Sequence, residues 1–506
     1  MFQKIPLPVI QILYTLNEAG FEAYIVGGCV RDLLIGRIPK DWDVTTSALP
    51  ENILTLFPES FYENDFGTVG VKVAHIALNN SIPQNHTAPG ELKEIVEVTT
   101  YRTESGYKDK RRPDQVSFTT SLTEDLARRD FTINALAYGK DSTGTWNLVD
   151  PFSGRNDLHQ KIIRTVGDPN ERFGEDALRL MRAVRFLSEL REKREQEPSH
   201  NWQIEPTTFE ALKQLSPNLK HVSQERIRDE LSKIILSPNS AFGIQILHEA
   251  GLLTTILPEL EVGIGVTQNL HHIYTVWEHN LRALDTCPSE KLSVRLAALL
   301  HDVGKPQTKR GEGYRATFYN HDHVGAKIAE KALIRLRYPK AVVAHATLLV
   351  DNHLFYYNVD EVTESSVRRL IKRVGLENMD DLMAVRIGDR LGSGVPKGKP
   401  YKLRHLEYMI EKVSKDPLSA KMLTVKGNDL METLSLPASP KIGMLLDVLL
   451  AEVIEDPSIN TRELLLKRAS ELKEHDLPTL RILAQEKISE TKKEKDTQIK
   501  KRHWVE

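Results

Sequence analysis

Two aspartates one residue apart, Asp41 and Asp43 in the run Lys40-Asp41-Trp42-Asp43-Val44-Thr45, are the first side chains with an evident chemical use. In an extended run the side-chain period of two points both to one face. Adjacent like charges repel, so either water screens them on a solvated strand face or cations hold them. A pair of divalent ions bridging an incoming triphosphate and an attacking hydroxyl is the chemistry that uses such a pair. Glu97 is the candidate third ligand. It is the lone carboxylate of the apolar strand Ile95-Val96-Glu97-Val98, where an unpaired buried charge is costly, and a buried ligand role accounts for it. Upstream, Gly27-Gly28 follows the β-rich run Ala23 to Val26 and opens a helical pattern. Backbone N–H groups at that turn could face a phosphate; a plain tight turn is the competing reading.

A second constellation lies in Glu175 to Phe186, where Asp176 and Arg179 stand three apart and are expected on one helical face, with Arg182 and Arg185 extending the stripe. An arginine donates to ring nitrogen and carbonyl acceptors and a carboxylate accepts from an exocyclic amine, so the pair can read a base edge. An exposed, salt-bridged face is the alternative. A third group surrounds His301-Asp302-Val303-Gly304-Lys305, with His279, His321, His323, His353 and Asp389 spread around it. So many spaced His and Asp residues suit a metal site.

These groups need an α/β domain and a helical one to hold them. Residues 1–145 alternate short helical patterns with β-rich runs at Ala23 to Val26, Trp42 to Thr45, Thr68 to Ala74 and Ile95 to Thr100. From Glu171 onward helical periods dominate, as in Glu175 to Leu190 and Ser223 to Leu236. At 506 residues, several domains are expected. The division predicted is 1–150, 151–262, 263–400 and 401–506, with Ile488 to Glu506 a frayed basic tail. No apolar run approaches the roughly 20 residues that span a bilayer. Met1 to Gly20 reads as an amphipathic helix without secretory-signal features, so a cytoplasmic protein is expected. Cys29 and Cys287, far apart, argue against a disulfide framework or cysteine-rich zinc site. The net charge of −2 decides nothing about nucleic acid, because 68 basic and 70 acidic residues can still segregate into patches.

The string Val26 to Thr46 (V-G-G-C-V-R-D-L-L-I-G-R-I-P-K-D-W-D-V-T-T) resembles the head motif of class II tRNA nucleotidyltransferases, within the polymerase-β-like superfamily. Gly67-Thr68-Val69, Glu97 to Arg102, Arg128 to Ala135 and Asp150 to Gly154 resemble its further motifs, in order. The resemblance implies an α+β architecture, with a nucleotidyltransferase head followed by all-helical neck, HD and tail domains. It implies CCA addition to tRNA with CTP and ATP, magnesium at Asp41 and Asp43, and catalysis by these with Glu97. Asp176 and Arg179 would select the base, Arg129, Arg182 and Arg185 would hold triphosphate or sugar, and Gly28 and Arg31 would belong to the same pocket. Arg102 to Phe118, with Glu104, Tyr107, Arg111, Arg112 and Pro113, resembles the loop used in switching from C to A addition.

The histidine group resembles an HD phosphohydrolase. His279, His301, Asp302 and Asp389 would then hold one divalent ion of unknown identity, and His323 with His353 a second, His321 competing with His323. Val425 to Met431 and Pro437 to Gly443 resemble the tRNA-gripping tail. The rival readings are an A-adding, CC-adding or poly(A) polymerase of the same family, and an HD-domain hydrolase whose head only binds RNA.

Overall fold

The computed structural model describes residues 1–64, 67–76, 94–106, 115–141, 143–192, 201–268, 273–355, 357–359, 361–395, 397–414 and 423–505. Tyr107, Arg111, Arg112 and Pro113 of the expected switching loop lie outside them. The chain divides into two compact units, Met1–Val350 and Asp351–Glu506.

The first unit opens on the helix Leu7–Glu18, whose Val9, Ile10, Ile12, Leu13 and Leu16 are buried. Of the eleven strands among the described residues, nine follow in the head region: β1 Ala23–Val26, β2 Asp43–Thr46, β3 Ser60–Asn64, β4 Thr68–Lys72, β5 Ile95–Thr100, β6 Arg102–Ser105, β7 Gln115–Phe118, β8 Ala137–Lys140 and β9 Trp146–Val149. Seven of them form one mixed sheet in the order β3-β4-β5-β2-β1-β8-β9, and β6 and β7 pair as a separate hairpin. β2 and β5 run parallel, in a register that sets Asp43 beside Glu97. The core side is supplied by Ile25, Val44, Val69, Val71, Val96 and Val98, all essentially inaccessible. Glu97 alternates with Val96 and Val98 and therefore faces the open side of the sheet, exposed to solvent. The buried carboxylate expected from the apolar run is thus corrected: strand alternation sends its neighbours, not Glu97, inward.

Beyond the head, the single helix expected over Glu175 to Leu190 is two, Pro169–Glu175 and Leu178–Leu190. Asp176 between them is extended, and its Oδ1 accepts from Leu178 N at 3.0 Å. A short carboxylate side chain that caps the following turn competes with helix continuation, which is why the pattern breaks there. Asp176 and Arg179 consequently do not share a helical face. Helix Leu178–Leu190 packs against Gln224–Leu236 and Ser240–Glu249.

In the second unit the helices Glu364–Val374 and Met379–Gly392 precede Tyr401–Ser414, and Gly427–Leu434, Pro440–Glu455, Arg462–Leu472 and Leu477–Arg502 follow. Leu430, Leu434, Leu445, Leu449, Val453, Leu465 and Leu472 form the core of the later helices. The segment expected to fray is helical through Arg502. Asp476 caps its start by accepting from Thr479 N, a proline stands in the first turn, and its Lys, Glu and Gln residues are strong helix formers. Tyr408 anchors the helix through a hydrogen bond to Asp496.

Candidate active site

The turn after β1 brings the first set of candidates together. Gly27 has φ +80°, and a Cβ there would lie 3.0 Å from Arg129 Nη1 and 4.0 Å from Asp43 Oδ2. A side chain at Gly27 would be strained and would crowd both groups. Asp41 is exposed just before β2 and Asp43 half-buried at its start, with buried Trp42 between them. Asp43 and Glu97 thus stand on the open side of neighbouring parallel strands, with Asp41 exposed at the entry to β2. Hard oxygen donors that remain accessible to water suit magnesium, which keeps several waters when bound.

Two buried acids position the arginines around this edge. Asp125, fully buried, accepts from Arg128 Nη2 at 2.7 Å, Arg129 Nη2 at 3.5 Å and Thr45 Oγ1 at 3.1 Å. Burial pushes its carboxyl up, but Arg128 and Arg129 outweigh burial and hold it below the usual range. Asp130 accepts from Arg182 Nε at 2.6 Å, Asn134 Nδ2 at 3.1 Å and Phe131 N at 2.9 Å. Burial opposes its ionisation, yet Arg182 and Asn134 bring the carboxyl down to about 2. Asn134 in turn accepts from Arg31 Nη1 at 2.8 Å, and a Cβ on Gly28 would lie 3.6 Å from Arg31 Nη2. Arg31, Arg182 and Arg185 surround the Phe186 ring, at 5.1, 5.3 and 4.3 Å from its centroid. Arg185 is itself 8% exposed and donates to buried Glu230 at 2.9 Å.

A group whose folded pKa is depressed stabilises the fold above its unfolded pKa and loses that contribution as pH falls through the folded one. For Asp130 the window runs from 3.8 down to about 2. Asp130→Asn is therefore expected to lower Tm by an amount that is constant above pH ~4 and shrinks as pH falls towards ~2, read from melting curves of both proteins.

Asp176 is held by Arg226, from the helix Gln224–Leu236, through Nη1 at 3.2 Å and Nη2 at 2.7 Å. Arg179 donates to Arg128 O at 3.2 Å and Arg172 O at 3.0 Å and pairs with Glu175. Both candidates therefore lie within bonded networks but are not paired with each other. Sequence reasoning missed Asp125, Asp130, Asn134 and Arg226. Asp130 and Asn134 lie within the motif Arg128 to Ala135 and Asp125 just before it, but no role was assigned to them; Arg226, fifty residues from Asp176, left no signal.

The histidine and aspartate group is built within the first unit from three helices. A capping box, Thr275 with Glu278, starts Val276–Thr286 and sets His279 one turn in, fully buried. The apolar helix Leu292–Leu300 delivers His301 and Asp302 at its end. His301 Nδ1 meets Ala298 O at 2.9 Å, so its Nε2 points at His279 Nε2, 3.0 Å away, and at Asp302 Oδ2, 3.3 Å away. His321 opens the helix His321–Arg335, its Nδ1 against Phe318 O at 2.7 Å and its Nε2 3.3 Å from Asp302 Oδ1. Backbone carbonyls thereby fix which ring nitrogen faces the cluster, as they do for metal-bound histidines. Lys305 Nζ also lies 2.6 Å from Asp302 Oδ2. Burial alone would raise Asp302; His301 and Lys305 hold it well below the carboxylate range.

His279, His301 and Asp302 offer donor atoms within 4.8 Å of one another. With metal–nitrogen bonds of roughly 2.0–2.1 Å, neighbouring donors on one ion fall near the 3.0–3.3 Å observed here. The residues fit a divalent ion. His321, not His323, reaches Asp302. His323 is two positions further along a helix of 3.6 residues per turn, on the opposite side, and is exposed. In the second unit His353 is buried after helix Lys340–Asn352, and Asp389 pairs with Arg386 at 2.5 Å.

Gly304 makes the close approach possible: a Cβ there would strike His321 O and lie 2.6 Å from Gly325 N. Gly304→Ala is expected to force the two segments apart, costing about 1–3 kcal/mol of stability and any metal-dependent rise in Tm, both measurable by differential scanning fluorimetry with and without manganese.

Residues 23–164 match the family model of the poly A polymerase head domain, 201–263 that of the probable RNA- and SrmB-binding site of polymerase A, and 269–385 that of the HD domain. Three segments of the chain are thus similar to a poly A polymerase head, an RNA-binding segment and an HD domain. The chain is similar to the CCA-adding enzyme of Geobacillus stearothermophilus, 42% identical over 241 residues, which are 48% of this chain and 52% of that protein. The CCA-adding enzyme of Lactobacillus helveticus is 46% identical over 242 residues, 48% and 53% of the two chains. The chain thus spans about half the length of the curated relatives it matches.

The structure of the Bacillus stearothermophilus CCA-adding enzyme in complex with CTP superposes with a TM-score of 0.56 at 28% identity, over 93% of this chain and 98% of that one. A CCA-adding enzyme in apo form II shares the fold, with a TM-score of 0.54 at 18% identity over 92% and 96% of the chains. The α+β architecture, a head built on one sheet and a helical remainder, is that of these enzymes. Among the described residues no helix is long and apolar enough to cross a membrane.

Proposed function

We propose that this chain adds and repairs the 3′-terminal CCA of tRNA, using CTP and ATP without a nucleic-acid template. The observation that carries the reading is the parallel register that sets Asp43 beside Glu97, with Asp41 at the strand's entry and Gly27 and Arg129 against the same edge. Magnesium, the expected ion, would lower the cost of the charge that develops between the attacking 3′-hydroxyl and the α-phosphate. Asp41, Asp43 and Glu97 would hold it. Arg129 and the side-chain-free turn at Gly27 would receive the triphosphate, positioned by Asp125, and Arg31 and Arg182 would lie behind them in the network through Asn134 and Asp130.

Asp176 and Arg179 would read the base edge: the carboxylate accepts from the exocyclic amine that cytosine and adenine share, and the guanidinium donates to a ring nitrogen or carbonyl. The similarity to the CCA-adding enzymes supports this reading over a poly(A) polymerase or an enzyme limited to A or CC. We place the nucleotidyltransferase head in 1–150, the neck in 151–262, the HD domain in 263–400 and the tRNA-binding tail in 401–506. With tRNA as substrate, the reaction belongs in the cytoplasm. Binding of tRNA to basic surfaces is expected to weaken steeply with salt, log Kd rising linearly with log[KCl], as a filter-binding series would register.

A second activity has an observation of its own. The buried His279, His301, Asp302 and His321 cluster supports a divalent-ion site suited to hydrolysing 2′,3′-cyclic phosphates or phosphomonoesters at broken RNA ends. Asp302→Ala is expected to abolish such hydrolysis, followed as ring opening of 2′,3′-cyclic phosphates to monoesters and as phosphate release from phosphomonoesters, and to leave nucleotide incorporation intact; equal hydrolysis by the variant would dismiss the assignment.

A further inference from the structure

The second unit holds a cavity of about 380 Å3 beside the helix Glu364–Val374, inside the roughly 300–1,000 Å3 range of small-ligand pockets. Its lining includes the buried Leu370 and Leu406, the half-buried Phe355 and Tyr357, and the exposed Arg369 and Arg373. The helix itself concentrates cations, Arg368, Arg369, Lys372 and Arg373 within two turns. Among the described residues only Arg368 of these is engaged by an acid, Glu364 at 3.2 Å. Arg369 is steadied by Ser366 Oγ at 2.9 Å, and Lys372 and Arg373 are exposed with no acidic partner among the described residues. The Tyr357 ring is fixed from behind by its hydroxyl, 2.5 Å from His405 Nδ1.

An apolar, aromatic hollow with free guanidinium groups on one edge matches one ligand chemistry closely: a flat, weakly polar ring attached to an anion. A base on an aromatic side chain contributes about 1–3 kcal/mol, whatever its identity, and neighbouring cations hold the backbone phosphate. We propose that this cavity binds a single unstacked nucleotide of an RNA strand, its base against Phe355 and Tyr357 and its phosphate on Arg369 and Arg373. An acidic peptide would use the arginines and leave the aromatic hollow unfilled; RNA uses both. The site rests on the RNA-binding side of the reading above and gives the second unit a recognition role of its own, separate from the head chemistry.

The test uses the full chain and two RNA probes, a tRNA lacking CCA and a single-stranded uridine decamer, with Kd measured by fluorescence anisotropy at several salt concentrations. Arg369→Ala with Arg373→Ala is expected to weaken both probes at least ten-fold and to flatten the salt dependence. Tyr357→Ala is expected to weaken both by about five- to a hundred-fold with the salt slope unchanged, whereas Tyr357→Phe, which keeps the ring, binds as the parent does. KM for CTP stays constant throughout, and melting curves confirm that the variants are folded.

Unchanged Kd in Tyr357→Ala overturns the proposal, whether or not the arginine variant weakens: loss from the arginines alone means a backbone contact without a nucleotide pocket. Unchanged Kd in both variants overturns it in favour of another occupant. If the parent binds the decamer through Tyr357 but does not extend tRNA, the CCA reading fails and the pocket stands.

Discussion

Asp43→Ala is expected to reduce CTP incorporation into tRNA lacking its CCA end by roughly a hundred- to a thousand-fold, the scale on which removal of a preorganised electrostatic group acts. The side chain lies half-buried at the start of β2, so its loss removes charge from the open face and leaves the core of Val44, Val96 and Val98 untouched. Melting temperature should therefore hold while activity disappears. Asp41→Ala is expected to behave alike, for the same reason and with still less effect on stability, because Asp41 is exposed ahead of the strand. Glu97→Gln separates charge from shape: it retains a side chain opposite Asp43 but removes one anionic donor, so activity should fall less and recover partly as magnesium is raised. If Asp43→Ala incorporates CTP at the parent rate, the carboxylate assignment is wrong.

The second large effect concerns which nucleotide is accepted. Arg179→Ala and Asp176→Ala are each expected to reduce discrimination between CTP and UTP by about 1–3 kcal/mol, the value of one good base-edge pairing, read as the ratio of kcat/KM for the two nucleotides. Arg226 gives this prediction a further arm. Its guanidinium spans both oxygens of Asp176, which sits in an extended joint between two helices rather than on a helix. Arg226→Ala should leave Asp176 without its brace, lower selectivity in the same direction, and spare the intrinsic rate with an already bound correct nucleotide. A drop in kcat without any change in selectivity would assign Arg226 to stability alone.

The parts of this molecule that depend on local pattern were readable from the chain. β1 and β5 run over the residues predicted, Ala23–Val26 and Ile95–Thr100, because short apolar runs bounded by turn residues specify their own limits. The register that joins Asp43 to Glu97 was not readable, since nothing local fixes which strand lies beside β2. Asp176 illustrates a different failure: the apolar period continues across it, and only the capping preference of its own side chain stops the helix.

At the histidine cluster, composition gave the chemistry but left His321 and His323 as rivals. The choice depends on where the helix His321–Arg335 begins, and hence on Gly304 meeting Gly325. The basic C-terminal segment was misjudged because a lack of apolar period was read as a lack of helix, whereas its Lys and Glu content favours one.

The most direct measurement is incubation of the purified chain with magnesium, tRNA lacking its CCA end, and labelled CTP and ATP singly and together, with products resolved at single-nucleotide length. Two C additions with CTP alone, completed by one A when ATP is present, is the result predicted. Long A tails, addition of A only, or no extension at all would contradict it.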